Sequence, residues 1–235
     1  MFFRYLALAL LDNFCWCSSD DPERLYQLKR SAEAIYELAV LYKTPFISGK
    51  DSMFNDFKGF DANGKPVKIS APPTLLVSSI GVIPDVEQSI SLAPKAVGDL
   101  VYLIGETEDE CGGSEYYDLH GHLGSNVPQV HGPRNDMMYK IYSQCARKRL
   151  IASAIGVDFG GLGAALAKTA IAGQIGLDSD MSHIDLRSDK ALFSESNGRI
   201  LVTVAPQNKA AFEKAFKKFN HLYHIGHTAY TNKLS

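Results

Sequence analysis

Short apolar runs alternate along this chain with stretches whose apolar residues return every third or fourth position. Tyr5–Leu11 is an apolar run of strand length, too short to span a bilayer and not followed by an Ala-x-Ala cleavage site. Asp21-Pro22-Glu23 marks a helix start, because Asp21 can cap and Pro22 suits a first position whose N–H is unpaired anyway. Leu25, Leu28, Ala32, Ile35, Ala39 and Tyr42 then recur at steps of three and four, predicting an amphipathic helix to about Lys43. Pro45-Phe46-Ile47 reads as a buried strand delivering Lys50, Asp51 and Ser52 to a loop. Asn63-Gly64 predicts a hairpin turn, and the β-branched Thr74–Ile83 a buried strand.

Pro84–Val97 is polar and irregular, and a domain boundary is expected there. The pattern then restarts. Strands are expected over Leu100–Ile104, Leu150–Val157, Gly176–Asp185 (alternating, as an edge strand does), Ile200–Ala205 and Leu222–Gly226. Helices are expected from Ser114, from Pro133 (with Met137, Met138, Ile141, Tyr142 and Cys145 on one face), over Gly161–Ala172 with a stop at Gly173, and over Ala211–Phe219. His120–Gly132 reads as an exposed loop. The order of elements predicts two α+β domains with antiparallel or mixed sheets, not a doubly wound sheet.

Composition narrows the classes. The chain has 235 residues, 46% hydrophobic and 21% charged, which is ordinary for globular domains. A formal net charge of -2 argues against nucleic acid or an anionic membrane as main partner. Cys15, Cys17, Cys111 and Cys145 are too scattered for a disulfide framework, so a reducing, cytoplasmic location is expected.

Three stretches carry candidate chemistry. Gly49-Lys50 echoes the end of a phosphate-binding loop, but the motif needs a glycine five residues earlier and position 44 is Thr. In Glu106–Glu115, Gly112 and Gly113 allow close approach of a ligand, and Ser114 can cap a helix whose first N–H groups favour an anion. The carboxylates nearby oppose phosphate unless a cation offsets them. In Gly156–Gly161, Asp158 could hold Mg²⁺ beside a phosphate at the Gly160-Gly161 helix start, or merely cap a tight turn. His120, His122 and His131 lack the spacing of a recognised metal motif, and Cys15-Trp16-Cys17 is not the Cys-x-x-Cys redox pair.

Taken in order, LDNFCWCSSDDPERL, PFISGKDSMFND, PPTLLVSSIGVIPD, VGDLVYLIGETEDECGGSEYY, GGLGAALAKTAIAG and ALFSESNGRILVTV strongly resemble the synthetase part of phosphoribosylformylglycinamidine synthase. The resemblance covers almost the whole chain. It implies an aminoimidazole ribonucleotide synthetase-like fold, with a partial second A-type domain over 1–90 and a B-type α/β sandwich domain over 91–235. It also implies ATP-dependent conversion of formylglycinamide ribonucleotide and glutamine-derived ammonia to formylglycinamidine ribonucleotide, with ATP and Mg²⁺ required by the complete enzyme.

The same resemblance implies that both ends are cut. The family's first half, which carries the catalytic His, and the glutaminase would be separate partners. No catalytic residue is expected in this fragment, which alone is expected to be inactive. The alternative is a non-catalytic remnant, or a complementing nucleotide- or phosphate-binding subunit that self-associates, as a homodimer for example. Gly112, Gly113, Ser114 and Glu115 match the family's Gly-Gly-Ser-Glu and are expected on the substrate-phosphate side. Lys50, Asp51, Ser52, Gly160, Gly161 and Glu195 are expected along the nucleotide cleft. Where the family reads His-Asp-x-Ser-Asp-Gly-Gly, this chain reads Ile155-Gly156-Val157-Asp158-Phe159-Gly160-Gly161, which leaves Asp158 as that turn's only acid.

Overall fold

The computed structural model describes residues 8–83 and 85–230, so Tyr5, Leu6 and Ala7 of the first apolar run lie outside the described residues. The chain divides into two compact units, Met1–Pro84 and Asp85–Ser235.

In the first unit β1 (Leu8–Cys15) is the middle strand of a three-stranded mixed sheet. It pairs in parallel with β2 (Phe46–Ser52) and antiparallel with β5 (Thr74–Gly81). The helix α1 (Pro22–Tyr42) starts as its sequence dictates: the Asp21 carboxylate accepts from the Glu23 N–H at 2.9 Å, and Pro22 takes the first position. Lys43 ends it in the left-handed conformation. Leu28 and Ile35 of α1, with Met53 and Leu75, pack on Phe14, Trp16 and Cys17. Trp16 also donates from Nε1 to the Arg24 carbonyl at 2.9 Å. The Asn63-Gly64 turn joins β3 (Asp56–Phe60) to β4 (Pro66–Ser70), with Asp61 Oδ1 accepting from the Asn63 and Lys65 N–H groups.

Three expectations for this unit change. Lys50, Asp51 and Ser52 are in β2 rather than in a loop, because the ladder with β1 runs on through Asn13↔Lys50, Phe14↔Asp51 and Cys15↔Ser52. Neither β2 nor β5 is buried: Ile47 is 64% exposed, Leu76 58% and Ile80 57%. The amphipathic period of α1 is real, yet no residue of the helix is fully buried. Within the described residues this unit has an apolar sheet without a complete second layer to cover it.

The second unit is a three-layer sandwich. Its antiparallel sheet runs β7 (Ser153–Gly156), β9 (Ile200–Val204), β6 (Leu100–Ile104), β10 (Leu222–Ala229), β8 (Gly176–Ser179). In β6, Tyr102 and Ile104 face one layer, where Met138 and Cys145 of α3 (Gly132–Arg147) meet Phe212 of α6 (Lys209–Ala215) and Phe216. Val101 and Leu103 face the other, where Leu162, Ala165 and Leu166 of α4 (Gly161–Gly173) pack. A sheet covered on both faces explains why its inner strands β6 (LVYLI) and β9 (ILVTV) are near-continuous apolar runs rather than alternating ones.

Several boundaries shift for local reasons. β7 begins only at Ser153, because the Leu150 N–H closes the end of α3 on the Cys145 carbonyl. Gln174, not Gly173, takes the left-handed position after α4. β8 is an edge strand but stops at Ser179, where Asp180 turns the chain by accepting from the Ser182 N–H. The last helix is shorter than expected and is preceded by a 3-10 turn at Pro206–Asn208.

Candidate functional site

The registers of β6, β9 and β7 bring three loops to one end of the sheet. Ile104 at the end of β6 and Gly156 at the end of β7 both pair with Ile200 at the start of β9. The acidic loop after Ile104, the turn after Gly156 and the Ser194–Arg199 approach to β9 therefore converge.

Glu195 joins them. Its Oε1 accepts from the Gly160 N–H at 2.8 Å and from the Glu115 N–H at 3.0 Å, linking the starts of α4 and of α2 (Glu115–Leu119). The Glu195 N–H donates to the Glu110 carbonyl at 3.1 Å. On either side, the hydroxyl of Ser194 accepts from the Glu110 N–H and that of Ser196 from the Glu108 N–H. Gly161 sits under this turn at φ +63, where a Cβ would lie 2.6 Å from the carbonyl oxygens of Leu192 and Ser194, so the approach tolerates only glycine.

Beneath the turn lies Arg199, 2% exposed. Its Nε donates to the Ser196 carbonyl at 3.0 Å, one Nη to the Ser194 carbonyl at 2.5 Å and the other to the Thr107 hydroxyl at 3.0 Å. Burial pushes its pKa down to about 10, while the Glu110 and Glu195 carboxylates favour the charged form. Arg199 thus holds the carbonyls on both sides of Glu195 and ties them to the acidic loop.

The sequence placed a phosphate at Gly112–Glu115. Here Ser114 caps α2, accepting from the Tyr117 N–H and donating to the Cys111 carbonyl at 2.7 Å. Gly112 and Gly113 donate their N–H groups to the carbonyls of Asn126 and Leu123. The carboxylate of Glu195 takes the Glu115 N–H. Gly113 and Glu115 are the exposed members of the set, and nothing lies near the position a Gly113 Cβ would take.

The acidic loop has cations of its own. Arg134 at the start of α3 reaches Glu106 at 2.6 Å and Glu108 at 3.3 Å. Lys190, on α5 (Ser188–Phe193), pairs with Asp109. His131 stands 3.2 Å from Glu108 and His221 3.5 Å from Glu106. Asp189 is held well below the usual carboxylate range by the Arg187 guanidinium and by the Tyr116 hydroxyl, which donates to it at 3.1 Å. Tyr116 in turn stacks on Phe193, coupling α2 to α5.

Asp158 does not fit the Mg²⁺ role. Its side chain is 68% exposed and its nearest counter-ion is Lys168 at 3.6 Å. No group of three His, Cys, Asp or Glu is placed to hold a metal among the described residues. The three histidines considered for one go separate ways: His120 packs edge-on against Tyr116, His122 against Tyr117, and His131 pairs with Glu108.

The structure therefore assembles Glu115, Gly160, Gly161 and Glu195 at one site, with Gly112, Gly113 and Ser114 beside it. Lys50, Asp51 and Ser52 belong to the first unit. Arg134, Lys190 and Arg199 had no motif to announce them. Only Arg199, a cation at the entrance to an apolar strand, departs from the pattern around it.

The architecture of the second unit, an antiparallel sheet between helical layers with its loops gathered by a buried arginine, defines an α+β domain of the aminoimidazole ribonucleotide synthetase type. Residues 96–235 match the family model described as AIR synthase related protein, C-terminal domain, and the chain belongs to that family. It is 32% identical over 225 residues to the phosphoribosylformylglycinamidine synthase subunit PurL of Methanocaldococcus jannaschii, covering 93% of this chain and 30% of the relative. It is 34% identical over 211 residues to PurL of Limosilactobacillus fermentum, covering 89% and 27%. The chain thus spans under a third of the length of these relatives. Solved structures share the fold at lower identity. T. maritima PurL complexed with FGAR has a TM-score of 0.67 at 14% identity, over 94% of this chain and 35% of that one. E. coli HypE, a hydrogenase maturation protein, has a TM-score of 0.69 at 14% identity, over 97% and 70%. No helix among the described residues is long and apolar enough to cross a membrane.

Proposed function

We propose that this chain is the C-terminal part of a phosphoribosylformylglycinamidine synthase, contributing substrate-phosphate and structural contacts to a reaction whose chemistry lies in the missing first half. The observation that carries this reading is the match to PurL subunits over about nine tenths of the chain. In the complete enzyme formylglycinamide ribonucleotide and glutamine-derived ammonia become formylglycinamidine ribonucleotide. ATP with Mg²⁺ would activate the amide oxygen there. Since Asp158 is exposed and paired with a lysine, the metal's ligands are assigned to the other half.

In this reading the first unit is the end of an A-type domain and the second a B-type domain. Gly113 and the Glu115–Glu195–Gly160 constellation receive the substrate's phosphate side. Glu195 then yields the N–H groups it holds to the incoming anion, and Arg199 keeps its turn in register. Lys50, Asp51 and Ser52 on β2 supply nucleotide-cleft contacts.

Titration of formylglycinamide ribonucleotide into the purified chain tests the site, with binding expected in the parent and lost in Gly113→Val. Co-expression with a PurL first half and a glutaminase tests the whole. Ammonia-dependent turnover is expected only in the assembled complex. Turnover by this chain alone, or undiminished turnover of a complex carrying Gly113→Val with Glu195→Ala, would defeat the reading.

One observation favours a second reading, self-association. β5 is an edge strand of the first unit's sheet, and Leu76, Val77 and Ile80 on it are exposed. Such an edge invites pairing. Sedimentation of the chain alone, giving a dimer rather than a monomer, is the outcome expected of a complementing subunit of that kind.

A further inference from the structure

A cleft of about 610 Å³ opens on the helical layer formed by α3 and α6, and nothing in the proposed reaction uses it. Asp136, Met137, Lys140 and Ile141 line one side; Lys214, Ala215, Lys217 and Lys218 line the other. On α3 these four form a stripe distinct from Met138 and Cys145, which point into the core. The floor is apolar, from Met137, Ile141 and Ala215. The rim is cationic.

Charge is concentrated here against the trend of the molecule. The chain as a whole carries -2, yet four lysines face one aspartate around this cleft. That aspartate, Asp136, is paired with Lys140. Lys214, Lys217 and Lys218 are exposed, and none has a carboxylate within ion-pair distance among the described residues. Like charges held together without counter-ions repel, and a bound polyanion relieves that repulsion. Lysine ammonium groups are effective point-charge partners for phosphate. The cleft's volume falls in the range of small-molecule sites, which characteristically combine an apolar floor with a few charged groups.

We infer that this cleft binds a small organic polyphosphate: the phosphate chain lies between the ammonium groups of Lys214, Lys217 and Lys218, and the apolar part rests on Met137 and Ile141. A nucleoside triphosphate has this chemistry. The site is separate from the Glu195 constellation and does not depend on the function proposed for it.

The test is calorimetric titration of the full chain with ATP, inorganic tripolyphosphate and adenosine at low and at moderate salt. Two triple variants accompany it: Lys214→Ala/Lys217→Ala/Lys218→Ala, and a charge-matched control, Lys29→Ala/Lys58→Ala/Lys65→Ala. All six lysines are exposed, so both variants are expected to fold, and their melting curves check this. ATP and tripolyphosphate are expected to bind with an affinity that falls as salt rises. The cleft variant should lose at least tenfold in affinity and the control less than twofold. Met137→Ser should weaken ATP several-fold while leaving tripolyphosphate unchanged. Absence of tripolyphosphate binding by the parent chain, or equal losses in the two triple variants, overturns the inference. Full retention of ATP binding by the cleft variant overturns it too, and places ATP at another site.

Discussion

Glu195 accepts the Gly160 N–H at 2.8 Å and, through the same oxygen, the Glu115 N–H at 3.0 Å, so one carboxylate fixes the starts of two helices. Hydrogen bonds to a charged group contribute more than neutral ones. Glu195→Ala is expected to cost about 1.5–3 kcal/mol, read from urea unfolding. Glu195→Gln retains an acceptor and should cost less. Hydrogen exchange gives the specific signature: the Gly160 and Glu115 amides should lose protection in the alanine variant, while amides in β6 keep theirs.

Arg199 supports that carboxylate from below. Removing it leaves the carbonyls of Ser194 and Ser196 without their buried donor, and leaves Glu110 and Glu195 without the nearby cation. Arg199→Met is expected to cost about 3–5 kcal/mol, as breaking buried charged networks does. Arg199→Lys should recover only part, since one ammonium cannot reproduce three donors in a planar fork. Thermal unfolding of the three proteins checks the order parent, lysine, methionine.

Gly161 tests the tightness of the same turn. Its φ of +63 is unfavourable for any L side chain, and its Cβ would collide with backbone oxygens rather than with a movable side chain. Gly161→Ala should cost about 2–3 kcal/mol. The neighbouring Gly163, whose Cβ would meet the Phe193 ring, provides the contrast: the ring can shift, so Gly163→Ala should be milder in the same unfolding measurement.

How much of this was legible in the sequence depended on whether the signal was local. Asp21-Pro22 and Asn63-Gly64 act within a few residues, and both formed the structures their chemistry requires. The run Leu100–Ile104 announced a strand, but that both its faces are covered follows from helices far along the chain. Lys50–Ser52 have the local pattern of a loop yet are strand, because the partner that extends β2 is β1, far earlier in the sequence. Gly112–Glu115 and Gly160-Gly161 could each be found as glycine turns. That Glu195 brings them together is a consequence of the pairing of β6, β9 and β7, and of a buried arginine, which no short motif encodes.

Cys145 is fully buried, and that burial pushes its thiol pKa up to about 11. Thiolate is the reactive species, so at about pH 8 only ~0.1% of this thiol is ionised even before access is considered. Iodoacetamide should leave Cys145 unlabelled in the folded chain and modify it on unfolding. Cys15, half-buried at the end of β1, should react first of the four. Peptide mapping after timed alkylation reads the order directly.

The Arg187–Asp189–Tyr116 contact sets an acid limit on the α2–α5 junction. Asp189 is held below its ordinary 3.8 chiefly by the hydrogen bond from Arg187, with the Tyr116 hydroxyl adding to it. A carboxylate whose pKa is lower folded than unfolded stabilises the fold in its ionised form. That contribution is complete above about pH 4–5 and is lost as the pH falls below 3.8 toward the depressed folded value. Asp189→Asn removes the charge at every pH. The difference in urea midpoint between parent and variant should therefore be constant from pH 5 to 7 and shrink steadily below pH 4. Tyr116→Phe should reproduce a smaller part of the neutral-pH difference, because it removes one donor and keeps the stacking on Phe193. A parent–variant difference that persists unchanged at about pH 2 would show that Asp189 acts through packing rather than through its charge.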